Sequence, residues 1–358
     1  MTNILIDIFL SIFDFILLSD TKFLSILFLL MILLPILISF IYLNKIKSEK
    51  YNELIEVNLN YIKDPGYFGK NFLKIINCTF LDYFKKYDSK IFDKIENLII
   101  EAKLCKQNKK EIIFITNNFY NINKIKSKVN KFKNNECNII IINKNPIVMD
   151  NEMNFEKEYV NYGDLKILKK VNFYSLIVKG NLIIDSEVEI NKYLHVEGNI
   201  YFNKPSKIGL NIYSSNNIYI NSLVSFKRMF ANEIKTEIGS NFVFIDQINQ
   251  EDIDKNKISI IGNLRVEGKI ELTPQNKYII IDGNLVSDSD IKLNGQIWVK
   301  GNIFSQKNIS ISNGVVIGEK GKIKSIITKK TITIGPNIKI YGYIHSELIS
   351  NTYLQTTL

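Results

Sequence analysis

The 358-residue chain holds little of what catalytic and metal-binding chemistry draws on: two histidines, three cysteines and one tryptophan. Cys78, Cys105 and Cys137 are odd in number, widely spaced and form no CxxC. They indicate neither a disulfide framework nor a zinc site, and a reducing compartment fits that usage. His195 and His345 stand in no motif. An effective base needs a positioned partner, so each reads as an outward structural residue. No GxGxxG occurs, nor a GxxxxGK followed by Ser or Thr, so no phosphate cradle is expected. No catalytic residue, metal ligand or cofactor is assigned, and the chain reads as a non-enzyme.

Charge is present in quantity. The formal net charge is +10, with 23% charged and 11% aromatic residues, which excludes a disordered chain. Heavy use of Asn, Ile and Lys reflects an AT-rich coding sequence more than a function, and it weakens any conclusion from the basic balance. The charge is spread and no recognition motif appears, so no nucleic acid is expected as a partner.

One long apolar run stands out. Phe23–Leu43, FLSILFLLMILLPILISFIYL, carries no charge over a length that suits a helix crossing the hydrocarbon core. Pro35 is tolerable inside such a helix. No positive region or small-residue cleavage site stands beside it, so it reads as a retained anchor. Lys45, Lys47 and Lys50 follow the span closely, while Lys22 and Asp20 precede it. The positive-inside rule then puts the bulk of the chain in the cytoplasm, with the flanking lysines at the lipid headgroups. Within residues 1–22, Ile4–Leu18 is also apolar but interrupted by Asp7 and Asp14. It reads either as an interfacial amphipathic helix or as the first leg of a hairpin.

Residues 44–158 read as a mixed α/β cytoplasmic region. Pro65-Gly66 punctuates the chain. Phe72–Phe84 and Ile91–Leu104 show helix-like apolar spacing. Glu111–Asn118 and Cys137–Asn145 are short β-branched runs that read as buried strands, with a lysine-rich helix expected over Ile122–Phe132. A strand–helix–strand unit of that length suits a parallel crossover.

From about Tyr159 the texture changes. VKGNLIIDSEVEI (Val178–Ile190), IDGNLVSDSDIKL (Ile281–Leu293) and VKGNIFSQKNISI (Val299–Ile311) share one frame, x-G-N followed by Ile or Leu. Ile281–Trp298, Val299–Gly318 and Glu319–Lys339 read as successive coils of about 20 residues, each with three short alternating strands. That is the mark of a β-solenoid, expected over residues 159–347 and followed by a tail at 348–358. Its corners are assigned to Gly180-Asn181, Gly198-Asn199, Gly283-Asn284, Gly301-Asn302, Gly321 and Gly342. Glycine there permits positive φ or close approach, and Asn bonds the local backbone. The inward ladder is assigned to Leu285, Ile291, Leu293, Ile303, Ile309, Ile311, Ile323, Ile332, Ile334 and Ile344. The span Gly209–Asn263 fits the frame less regularly. The fold class is therefore mainly β: a C-terminal β-solenoid, preceded by a small α/β region and an N-terminal transmembrane helix. A β-sandwich is the competing architecture.

The run Gly283–Glu347, with x-G-N-I-x-S at Gly301–Ser305 and Gly342–Ser346 closing the array, resembles the bactofilin-like family of polymer-forming cytoskeletal proteins. KDPGYFGKNF, Lys63–Phe72, before a long solenoid also looks like its membrane-linked members. The resemblance implies nucleotide-independent assembly by end-to-end stacking, with the chain itself and membrane lipid as partners. A solenoid's terminal coils expose unpaired strand edges that can template another copy. Two alternatives stand beside it. One is a hexapeptide-type acyltransferase, suggested by Ile317-Gly318 and Ile334-Gly335. The other is a binding module facing the cell envelope.

Overall fold

The computed structural model describes residues 28, 31, 33, 34, 64–84, 97–104, 110–117, 132, 133, 136–236, 243–248, 253 and 256–353. The chain divides into two compact units, Met1–Leu59 and Asn60–Leu358. In the first, Phe28, Met31, Leu33 and Leu34 are helical and exposed. The rest of the expected span Phe23–Leu43 lies outside the described residues, as do Ile4–Leu18, Lys45, Lys47 and Lys50. Among the described residues no helix is long and apolar enough to cross a membrane.

The second unit opens with helix α1, Tyr67–Phe84. Asp64 starts it: its Oδ1 accepts the Gly66 N–H at 2.9 Å and its carbonyl accepts that of Tyr67 at 3.0 Å. These satisfy N–H groups that the first turn leaves without helical partners. Phe72, Leu73, Ile76 and Phe80 fall on one face and are buried together with Ile113, Ile115, Ile140, Ile142, Val160, Ile177 and Tyr193. Strand Lys110–Thr116 pairs antiparallel with Asn97–Lys103 and parallel with Ile140–Asn143. The two β-branched runs thus pair in parallel, as the expected crossover requires; of the helix expected over Ile122–Phe132, all but Phe132 lies outside the described residues, and Phe132 is in a strand. The helix expected over Ile91–Leu104 is not formed at Asn97–Lys103, which is a strand. Its buried residues, Ile100, Ala102 and Leu104, recur at every second position, which is strand periodicity.

The solenoid has about 11 turns. Three columns of short strands run its length. The corner column follows each Gly-Asn and stacks Ile147, Leu165, Leu182, Ile200 and Ile218 in one inward file. The middle column stacks Val171, Val188, Ser206 and Val224. The return column stacks Leu176, Leu194, Ile212 and Met229. All these pairings are parallel, and the strands alternate buried and outward residues. The array begins before Tyr159, since Ile147–Met149 and Met153–Asn161 already pair with the next coil. Gly209–Asn263 is regular as far as Thr236. Its break lies between 236 and 257.

At that break the chain starts a second stack. Residues 257–352 repeat the three columns: Leu264, Leu285, Ile303, Ile326 and Ile344 form the corner file. Across the connector, Phe244, Ile245 and Ile253 are buried against Ile280, Val316 and Tyr341. The second stack ends on the 15-residue strand Ile338–Thr352, which pairs antiparallel with Val224–Thr236, the end of the first. Met229 faces Ile344, Ile234 faces Ile340 and Phe226 faces Ser350. Return column therefore meets corner column, and middle meets middle, as across a local two-fold axis. One buried core runs from Phe114 through this joint to Ile344. Residues 348–352, expected as part of a tail, belong to this last strand, with Ser350 and Thr352 buried and Leu348 and Ile349 half-exposed.

Candidate assembly interface

The coils are held together by repeated polar ladders. In the second half Asn302 donates its N–H and its Nδ2 to Asn284 Oδ1, at 2.8 and 2.9 Å. Asn284 does the same to Asn263 Oδ1, at 2.9 and 3.0 Å. Ser325 continues the ladder onto Asn302 Oδ1 at 2.9 Å. The first half has its own series: Asn181 on Asp164, Asn199 on Asn181 and Asn217 on Asn199. The corner asparagine thus bonds the neighbouring coil, not its own turn as expected. Each rung satisfies a backbone N–H where the strand ladder is interrupted.

The corner glycines serve close approach. Gly180, Gly198, Gly283 and Gly301 do not have positive φ. A β-carbon at Gly301 would run into the Gly283 carbonyl, and one at Gly283 into that of Gly262. Gly342, at φ +136°, is held against the Lys324 carbonyl and needs glycine on both counts. The serine of x-G-N-I-x-S also has a role. Ser305 is buried, donates to the Ser289 carbonyl at 2.6 Å and accepts the Lys307 N–H at 2.9 Å.

Of the assigned inward ladder, Leu285, Ile291, Leu293, Ile303, Ile309, Ile311, Ile332, Ile334 and Ile344 are buried. Ile323 is not: it is 61% exposed, and Ile326 takes the place stacked on Ile303. Gly321 is likewise no ladder corner. It sits at φ +81° with nothing near its absent side chain, and Lys324 occupies the position against Gly342. The reason is an inserted loop. Corner-file residues lie 23 apart from Ile303 to Ile326 but 18 apart from Leu285 to Ile303. Aligning on the glycine therefore slips the frame by three.

The titratable groups are absorbed into packing. His195 points away from the solenoid interior, as expected, but α1 covers it: a β-carbon at Gly69 would strike its ring. It is 2% exposed and stacks on Tyr213 at 4.7 Å, and neither ring nitrogen has a partner. Burial first, and the nearby Lys70 second, hold its pKa down at about 4. His345 lies 3.3 Å from the Tyr343 hydroxyl, and burial and Arg228 lower its pKa. Lys339 is buried on Asp246 at 2.9 Å, with Tyr341 donating to the same carboxylate at 3.0 Å, and this pins the connector. Cys78 is disulfide-bonded, contrary to the expectation from cysteine spacing. Cys137 is free and buried, its thiol pushed up to about 12 by burial. Among the described residues no three His, Cys, Asp or Glu converge as a metal site would require. A concavity of about 500 Å³ near Pro146, Val148, Lys166 and Ile183 is mainly apolar.

The two outer ends of the rod differ. At the first, Ile140–Asn143 pairs with the coil behind it and with Lys110–Thr116 ahead of it. Phe114, Cys137, Ile139 and Ile141 fill the interior there and are fully buried. At the second end, strands Lys257–Ile261, Leu264–Val266 and Ile270–Leu272 each pair with a strand on one side alone among the described residues. Ile260, Leu264, Val266 and Leu272 face inward and are half-buried, while Ile258 is 43% and Ile261 90% exposed. No β-carbon contact waits at Gly262, where Gly283 and Gly301 each meet the preceding coil. Asn263 accepts from Asn284 through its Oδ1 and is the first asparagine of this ladder among the described residues. The frame alignment missed these residues, although Gly262-Asn263-Leu264 repeats it in full.

No family model, curated protein or solved structure matches the chain.

Proposed function

We propose that this chain is a non-enzymatic scaffold that self-associates through its β-solenoid without nucleotide and is held at a membrane by Phe23–Leu43. The open end coil, residues 257–272, carries the reading. Among the described residues it presents three strands with no strand partner on the outer side and a half-buried apolar interior. Such edges are what proteins that stay monomeric cover or charge. The likeness to bactofilin-like proteins supports the same reading, as do the exposed apolar side chains of Phe28 and Met31 for the anchor. The test is the size of the full chain in detergent, measured against concentration, with and without ATP or GTP. Association indifferent to nucleotide is expected. A monomer at every salt and protein concentration would sink the scaffold reading.

The acyltransferase alternative would need an accessible base. Replacing His195 and His345 together should leave association intact, and any acyl transfer abolished by that change would favour the enzyme. An envelope-facing placement has one observation in its favour, the disulfide at Cys78, since disulfides are rare in reducing compartments. Protease accessibility of the solenoid in intact cells separates it from the cytoplasmic placement that the lysine flank favours.

A further inference from the structure

We infer that the open coil joins a second copy of itself, face to face across a two-fold axis, so that assembly closes at a dimer. The inference rests on the scaffold reading and specifies its partner and limit.

Three observations lead there. First, the rod offers one end for coil-on-coil stacking. Its two C-terminal coils already face each other inside the molecule, through Val224–Thr236 and Ile338–Thr352. At the outer end of the first half, Lys110–Thr116 covers the return column and Phe132–Lys133 the middle one, so that only Ile147–Met149 of the corner column pairs on one side among the described residues. A head-to-tail chain needs two different free ends. A rod with one end open on all three columns finds its match in the same end of a second copy, and that contact closes.

Second, the internal joint shows that coils of this shape meet antiparallel. There, return strand faces corner strand and middle faces middle: Ile234–Ile340, Met229–Ile344 and Phe226–Ser350. Side chains from both coils merge into one core with no exposed residue among these apolar partners. Side-chain bonds cross the joint too, Ser225 to Asn351 at 2.6 Å and Val224 N–H to Thr352 Oγ1 at 2.8 Å. Applied to the open end, the same rule sets Lys257–Ile261 of one copy against Leu264–Val266 of the other. Ile270–Leu272 then pairs with itself.

Third, the open end matches that partner chemically. Ile258, Ile260, Leu264, Val266, Ile270 and Leu272 would complete each other's interior, as the internal joint does. The middle strand carries Glu271 with Lys269 at 2.6 Å and Lys292 at 2.9 Å. Opposite charges are therefore at hand on both sides of the axis, where two bare carboxylates would repel.

A single coil's cross-section is small beside a standard interface, so a micromolar dimer is expected. The experiment uses the full chain in detergent, sized by sedimentation from about 1 to about 100 micromolar. A monomer–dimer equilibrium without larger species is expected. Leu264→Lys and Val266→Lys should each weaken it at least about tenfold, because a lysine that reaches solvent from the open end loses it in the dimer. Circular dichroism checks that both variants fold. Ser259→Cys and Arg265→Cys proteins, mixed and oxidised, should form a disulfide dimer that neither forms alone. A monomer throughout would overturn the dimer and the scaffold reading together. An open-ended ladder of sizes would overturn the closed dimer and leave the scaffold standing. A dimer that survives Leu264→Lys and Val266→Lys would place the contact elsewhere and end this proposal alone.

Discussion

The half-solenoid of residues 147–236 and that of 257–352 are built from the same three columns, yet they are finished differently. The first is roofed by α1 on its return face and stopped at its outer end by Lys110–Thr116 and Asn97–Lys103. Among the described residues the second has no such cover on its end coil. Stacking alone gives a rod of uniform section, because each coil needs only its neighbours. The difference between the halves therefore lies in what is added at the ends. In the first half an α/β cap covers the return and middle columns, and in the second no described strand covers any of the three.

Six substitutions, grouped in four tests, would break or sharpen this comparison. The largest effect belongs to the joint that both halves share. Ile344→Asp places a charge opposite Met229 with no partner, at a cost of about 5 kcal/mol or more. Urea unfolding followed by circular dichroism should lose its single transition. An unchanged midpoint would mean that the halves do not depend on their joint.

Acid should act on the first half in particular. The folded pKa of His195, about 4, lies below its ordinary value of 6.5. Between those values the unfolded chain binds the proton and the folded chain does not, so stability rises with pH through that window. It is fully present above 6.5, falls as pH drops and is lost by about pH 4, a total of roughly 3 kcal/mol. Thermal melts of the parent and His195→Gln between pH 7 and pH 4 would show it. The variant should lose that part of the slope, and identical slopes would contradict the burial of His195 beneath α1.

Glycines separate interior from end. Gly301→Ala must push a methyl group into the Gly283 carbonyl, and a loss of about 2 kcal/mol is expected. Gly268→Ala meets open space without positive φ and should change the melting temperature hardly at all. Equal effects would mean that the end coil is covered after all. The smallest contrast is in the asparagine ladder. Asn302→Ala removes bonds on both sides of its coil, whereas Asn263→Ala removes them on one. About 2 kcal/mol against about 1 kcal/mol is expected from denaturant midpoints.

Much of the rod was legible because its signal is local. The x-G-N frame located the coils around Gly180, Gly198, Gly283 and Gly301, and alternation assigned Ile303, Ile309 and Ile311 inward. The frame failed at Gly321 and Ile323, where an insertion lengthened one coil and the glycine stayed with the loop. It also missed α1 as the cover over His195, since an outward residue becomes buried only through a distant element. The candidate interface was the least legible part. Its residues follow the frame at Gly262-Asn263-Leu264, but nothing local marks a coil as last. The antiparallel joint is a pairing between strands more than 100 residues apart, and no periodicity reports it.

That joint also orders events during synthesis. Domains tend to fold as they emerge, N-terminal parts first. Residues 147–236 can stack early, but Val224–Thr236 waits with a bare apolar edge until Ile338–Thr352 has left the ribosome. The keystone of the rod is thus made only after both stacks that it joins. The loss of residues 338–352 would strip both stacks at once and leave a nascent chain with new adhesive surfaces.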